Sequence, residues 1–155
     1  MGRNCGMGGK CMIQRFQSFV TGITVCYKYI QRIKSMEMTE FGLKGTHAMC
    51  IFFLQHNPQG LTAAQLCQLC AEDKAAISRT LAALHKEGYL EAGEKKYRAV
   101  LRLTDKGRQI ACQVDELVAQ WVGFGGDGMT EEERGTFYHC LELISGNLRE
   151  SLESR

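Results

Sequence analysis

Residues 61–91 read LTAAQLCQLCAEDKAAISRTLAALHKEGYLE. Thr62 is a helix N-cap candidate for a short helix that turns Leu66, Cys67 and Cys70 inward. Asp73 is the same kind of candidate for a second helix, with Ile77, Leu81 and Leu84 inward at i, i+4 and i+7. Gly88 stands where that helix should stop, because a left-handed residue there closes the last turn. Two short helices joined by a tight turn predict a helix-turn-helix.

Working outward, YLEAGEKKYRAVLRLT (89–104) changes period from helical to alternating. Tyr97, Ala99, Leu101 and Leu103 share one face, and Arg98 and Arg102 the other. Tyr89-Leu90-Glu91 is the expected antiparallel partner, with AGEKK as the turn. A hairpin directly after the two helices makes a wing. Upstream, Ile13, Phe16, Val20, Ile23, Tyr27, Ile30 and Ile33 recur at steps of three and four, a long amphipathic helix over 13–35. The first eleven residues, rich in glycine, read as a disordered tip. Gly42 and Gly45 interrupt the pattern, and Thr46 is the expected cap of a second, nearly all-apolar helix, HAMCIFFLQ.

Downstream, Thr104 should cap a helix carrying Ile110, Val114, Leu117, Val118 and Trp121. GFGGDG (123–128) reads as a flexible joint, and Thr130 with Glu133 as a capping box. The last helix bears Phe137, Leu141, Ile144, Leu148 and Leu152. Apolar end helices in so small a chain have little of their own to cover, which points to a second copy. The expected architecture is mainly α with a small β-hairpin wing: one domain over 12–155. Its helix-turn-helix and wing lie at 61–108, and its dimerisation helices at 13–35 and 109–153.

At 155 residues the chain can bury a real core. Its longest apolar run, AMCIFFL, is too short to span a bilayer, and no signal-peptide stretch opens it, so the expected compartment is the cytoplasm and no membrane is expected as a partner. The net charge of +2 is unevenly spread. Residues 95–108 carry 6 basic and 1 acidic side chains, whereas 109–155 carry 3 and 9. One surface is therefore suited to a polyanion and another is not. No phosphate-cradling glycine loop, carboxylate pair or nucleophile elbow argues for an enzyme.

With Ile77, Leu81 and Leu84 inward, a step of about 100° per residue places Ala75, Arg79, Ala82 and Lys86 outward and Ser78 on the flank. Arg79 is built to fork onto guanine O6 and N7. Ala75 and Ala76 let a helix sit deep in a major groove and can touch thymine methyls. Lys74 stands near the helix start, where backbone N–H groups also favour phosphate. Lys95, Lys96 and Arg98 on the wing are phosphate or minor-groove ligands, and Thr62 completes the expected DNA-contacting set. Two such subunits would read a pseudo-palindrome in double-stranded DNA, with half-sites about one turn apart.

Eight cysteines are many for this length. Cys67 and Cys70 form a C-x-x-C without a second pair, and no two of the histidines 47, 56, 85 and 139 stand at i, i+4, so neither zinc nor another cofactor is expected. One turn apart on an apolar stripe, Cys67 and Cys70 read as core packing. Thiol sensing, the alternative regulatory chemistry, would fall first to Cys26, with Cys5 and Cys11 in a floppy segment.

The order of elements, the run 61–91 and the run RAVLRLTDKG (98–107) with Arg108 beyond it resemble the MarR family across about residues 13–153. That resemblance implies homodimeric transcription factors, often repressors, whose affinity for DNA is changed by small molecules, thiol oxidation or metals, with release by a small molecule the expected form here. It also implies an effector space between the first two helices and the helix after the wing, lined here by Tyr27, His47, Cys50, Ile51 and Trp121. The wing departs from the family's Asp-x-Arg turn, reading Glu94-Lys95-Lys96-Tyr97-Arg98. A winged helix used only for protein–protein docking is the competing class, against which the basic wing and Arg79 speak.

Overall fold

The computed structural model describes residues 8–40, 42–91 and 99–155. Six helices lie among them: α1 (Gly8–Glu40), α2 (Gly45–Gln55), α3 (Ala63–Cys70), α4 (Lys74–Lys86), α5 (Asp105–Gly125) and α6 (Glu131–Glu153). The chain divides into two compact units, Met1–Asp115 and Glu116–Arg155.

In the N-terminal unit α1 is longer at both ends than the periodicity over 13–35 predicts. Residues 8–11, expected within a disordered tip, are helical, because a nucleated helix gains one hydrogen bond for each residue it adds. At its other end Gly42 N–H donates to Thr39 O and Leu43 N–H to Met38 O, with Met38 and Leu43 both buried. That contact aims the chain back toward α2. The cap of α2 is Lys44, not Thr46: the Lys44 N–H donates to His47 Nδ1 at 3.4 Å.

The nearly all-apolar α2 packs against α1, α3 and α4. Cys50, Ile51, Leu66, Ile77 and Leu84 are the largest fully buried side chains. Each of the four aliphatic ones contributes about 1.5–3 kcal/mol of transfer free energy.

Among the described residues the β structure consists of two antiparallel bridges. Leu103 bridges Leu90 in antiparallel sense, flanked by Glu91 N–H to Arg102 O at 3.0 Å and Thr104 N–H to Tyr89 O at 3.0 Å. Leu101 bridges Leu61, exchanging backbone bonds of 2.8 and 3.2 Å. The segment 101–103 is thus paired on both edges, and Leu61, just before α3, is the third participant. Leu61, Leu90 and Leu103 are buried by it. The turn AGEKK with Tyr97 and Arg98 lies outside the described residues.

In the C-terminal unit, α6 starts at a reciprocal capping box. Glu133 N–H donates to Thr130 Oγ1, and Thr130 N–H to Glu133 Oε2 at 2.8 Å. Those bonds from Thr130, backbone first and then hydroxyl, hold the Glu133 carboxyl below its ordinary range. The expected joint GFGGDG is shorter than predicted. Gly123 and Gly125 are helical, and the turn is confined to 126–130, where the Arg134 guanidinium donates to Gly126 O at 2.9 Å. Among the described residues no helix is long and apolar enough to cross a membrane.

Candidate nucleic-acid interface

Each end of the helix-turn-helix is closed by a local bond that its sequence specifies. Thr62 and Gln65 form a reciprocal box at the start of α3, with Thr62 N–H to Gln65 Oε1 at 2.8 Å and Gln65 N–H to Thr62 Oγ1 at 3.3 Å. The Thr62 hydroxyl also donates to Gln65 Oε1, so it is already committed to the cap. Helix α3 ends on Ala71 in the left-handed region, φ 53°, with Glu72 N–H returning to Cys67 O. For a residue bearing a Cβ that conformation costs about 1–2 kcal/mol. Asp73 then caps α4, its Oδ1 accepting from Ala76 N–H at 2.7 Å. Asp73→Ala should lower stability by about 1 kcal/mol, read as a lower midpoint in urea with an unchanged slope.

Helix α4 separates its faces cleanly. Ile77, Thr80, Leu81 and Leu84 are buried, while Lys74, Ala75, Ser78, Arg79, Ala82 and Lys86 are exposed and Ala76 is half-buried. The exposed face is thus a row of cations separated by small residues. Among the described residues no ion pair engages Arg79.

The far end of α4 is held by the segment that follows the wing. Tyr89 N–H reaches back to Leu84 O and Gly88 N–H to His85 O, a closure that needs the positive φ of Gly88, 75°. Thr104 Oγ1 donates to Gly88 O at 2.7 Å and accepts from Gly107 N–H at 3.0 Å. Lys106 Nζ donates to Glu87 O at 2.6 Å and lies 4.7 Å from the centre of the Tyr89 ring. An ammonium on the last carbonyls of a helix also meets the negative end of its dipole. Leu103-Thr104-x-x-Gly107-Arg108 is therefore a clamp between the base of the wing and the C-terminus of α4. Sequence reasoning found Thr104 as a cap but missed Lys106, whose partner is a backbone carbonyl that no side-chain pattern marks.

Lys95, Lys96 and Arg98 lie outside the described residues. Thr62, Lys74, Ala75, Ala76, Ser78 and Arg79 all lie on α3, α4 or their caps, within the N-terminal unit.

The residues expected to line an effector space are placed unevenly. Cys50 and Ile51 are fully buried in α2. Tyr27 is exposed on α1. His47 is half-buried; burial, with the Lys44 charge adding to it, holds its pKa below the ordinary value, so the neutral ring can accept from Lys44 N–H. Trp121 belongs to the C-terminal unit, edge-on to Phe124 at 5.5 Å. An open groove of about 310 Å³ runs instead along Gln31, Lys34, Ser35, Thr39, Leu43, Lys44, Gly45 and Thr46, and includes none of the five.

The C-x-x-C pair is not wholly core. Leu66 is fully buried, whereas Cys67 and Cys70 are half-buried, because α3 is short and its last turn borders solvent. Cys26 and Cys11 are exposed on α1. Among the described residues no three His, Cys, Asp or Glu side chains are grouped to hold a metal ion.

The MarR family model matches residues 41–96, which run from the entry of α2 through α4 into the wing. Among solved structures, the chain is similar to a putative MarR family transcriptional regulator from Listeria monocytogenes complexed with 26mer DNA. That likeness has a TM-score of 0.77 and 20% identity, covering 85% of this chain and 89% of that one. It is also similar to a MarR transcriptional regulator from Methanosarcina mazei (TM-score 0.73, 19% identity, 86% and 91% covered). A MarR/EmrR family regulator from Acinetobacter is a third (TM-score 0.76, 17% identity, 86% and 96% covered). At these identities the likeness establishes the fold. The curated proteins contain no match.

Proposed function

Since residues 41–96 are a MarR-family segment carried on a winged-helix fold, we propose that this protein is a homodimeric, sequence-specific regulator of transcription that binds double-stranded DNA. The observation that carries the reading is the outer face of α4, where Lys74, Arg79 and Lys86 alternate with Ala75, Ser78 and Ala82 above a buried apolar face. Small residues let the helix approach the groove floor, and the cations meet phosphate and guanine. The Listeria relative's duplex supports the same assignment for this chain.

Pairing is supported by apolar surface that the chain leaves open. On α1, Ile13, Phe16 and Tyr27 are exposed by more than 60%. On α6, Phe137, Ile144, Leu148 and Leu152 are exposed as well. A two-fold pair of subunits would bury these stripes and place two α4 helices on one duplex. Repression relieved by a small effector is the fuller form of the proposal. The groove along Lys34 and Lys44 would suit an anionic ligand.

The test is selection of bound duplexes from a random pool, followed by affinity measured against salt. A near-palindromic site should emerge. Reversing Lys95 and Lys96 to Glu should weaken binding of every sequence and reduce the salt slope by about one per lysine in each subunit. Unchanged affinity in that double variant, or a single unpaired chain that ignores every duplex at low salt, defeats the reading.

A further inference from the structure

Helix α1 is bare for most of its length. Every residue from Cys11 to Arg32 is exposed, whereas Ile33, Lys34 and Glu37 are half-buried and Met38 is buried. The helix therefore leaves the body of the N-terminal unit close to Lys34, and there α2 begins. A Cβ on Gly45, the first residue of α2, would stand 2.7 Å from Lys34 Cβ and 3.5 Å from the Lys34 carbonyl carbon and oxygen. Alanine forms helix better than glycine, so the helical backbone gives no reason for a glycine here. The closeness of the two helices does. Both carbons are fixed to their backbones, so no side-chain rotation relieves the overlap.

We propose that Gly45 is a positioning residue that sets the spacing of the two half-sites the protein prefers. The inference rests on the paired, duplex-binding reading given above. In that pair the bare arm of α1 is held by the partner subunit. Among the described residues α1 packs chiefly against α2, and α2 in turn packs against α3 and α4. Cys50, Ile51, Leu66, Ile77 and Leu84, all fully buried, tie α2, α3 and α4 into one body, so α2 carries the outer face of α4 with it. The crossing at Lys34 and Gly45 thus decides where each α4 stands relative to its twin.

Carbon atoms in contact settle about 3.5–4.0 Å apart, so a Cβ at position 45 drives the helices apart by about 1 Å. The Leu43 N–H to Met38 O bond of 2.8 Å, with both side chains buried, holds the chain at a fulcrum one turn further along α1. That fulcrum lies about 6 Å from Lys34, so the displacement is a tilt of about 10°, and the end of the arm at Cys11 moves by about 7 Å. Successive base pairs of a duplex are about 3.4 Å apart. A pair of α4 helices re-aimed on this scale meets a different gap between half-sites, while the side chains that read each half-site are untouched.

The experiment takes the half-site sequence selected by the wild-type protein and varies the gap between its two copies in single base-pair steps. Affinity is measured at each gap for full-length wild type, Gly45→Ala, Lys34→Gly, Lys34→Ala and the double variant Lys34→Gly/Gly45→Ala. Circular dichroism and light scattering verify that each is a folded pair. Gly45→Ala should lose about tenfold at the wild-type gap and bind best at another gap, with base preference inside each half-site unchanged. Lys34→Gly opens the crossing, so affinities at neighbouring gaps should come within about threefold of the best. Adding Gly45→Ala to it returns a Cβ from the other helix and should restore the wild-type preference. Lys34→Ala keeps its Cβ and should keep the wild-type gap, which separates packing from the lysine charge. The two single variants at Lys34 carry the test independently of whether Gly45→Ala folds. An equal loss at every gap or an unchanged best gap in Gly45→Ala overturns the inference and leaves the proposed function standing. So does a Lys34→Gly profile as sharp as the wild type's, a double variant no better than its parents, or a wild-type protein indifferent to the gap. Wild-type protein that binds no duplex overturns the proposed function, and this inference with it.

Discussion

Gly107→Ala should lower the unfolding free energy by about 3 kcal/mol and the melting temperature by about 10 °C. A Cβ at position 107 would overlap the Tyr89 carbonyl oxygen and stand 3.1 Å from Leu103 Cδ2. The obstacle is backbone, which cannot rotate away as a side chain would. It is also backbone in use, since Tyr89 O accepts from Thr104 N–H at 3.0 Å. Relief requires α5 to move off the base of the wing, loosening Thr104 from Gly88 O and Lys106 from Glu87 O as it goes. The control is Gly123→Ala, another helical glycine in α5 but with nothing within 4 Å of the new Cβ. That change should stabilise by about 0.5–1 kcal/mol, since alanine restricts the unfolded chain more than glycine does. Equal behaviour of the two variants in thermal and urea unfolding would mean that the α4–α5 clamp does not carry the load assigned to it.

Arg79→Ala should weaken binding to the selected duplex by about 1–3 kcal/mol for each half-site, roughly 30-fold or more for the pair, and relax the preference at the base pair it contacts. Arg79 is exposed on α4, on the far side from Ile77 and Leu81, so removing it leaves the core intact. Stability should stay within about 0.5 kcal/mol, as surface substitutions do. The contrast with the wing is the sharp part of the prediction. Loss of Arg79 should discriminate between sequences, while reversal of Lys95 and Lys96 should weaken all of them and flatten the salt dependence. Competition titrations with duplexes altered one base pair at a time check it. An Arg79→Ala protein with wild-type affinity and wild-type sequence preference would move the reading face elsewhere.

The helix-turn-helix was legible because its signals are local. Caps at Thr62 and Asp73, a stop at Gly88 and an apolar step of three and four act within one turn of the chain. The exposed face of α4 followed from the buried one by helical geometry alone, so the placement of Arg79 needed no tertiary information. The capping box at Thr130 and Glu133 was readable for the same reason. The cap of α2 was not: a lysine has no acceptor, and the position is held by the His47 ring from inside the helix. The reach of α1 back to Gly8 was hidden by glycines that composition counts against a helix.

Sequence alone determined the element order, the inward stripe and the cationic face, because periodicity and capping are properties of neighbours along the chain. Only the tertiary structure decided that Leu61 pairs with Leu101 and that Gly107 bears on the carbonyl of Tyr89. It also decided that Cys70 faces Cys50 and not Cys67, its neighbour in the motif. Each of those contacts joins residues 18 or more positions apart or turns on a backbone atom. Backbone atoms are the same for every residue, so no residue type announces them, and packing alone selects which distant segments meet.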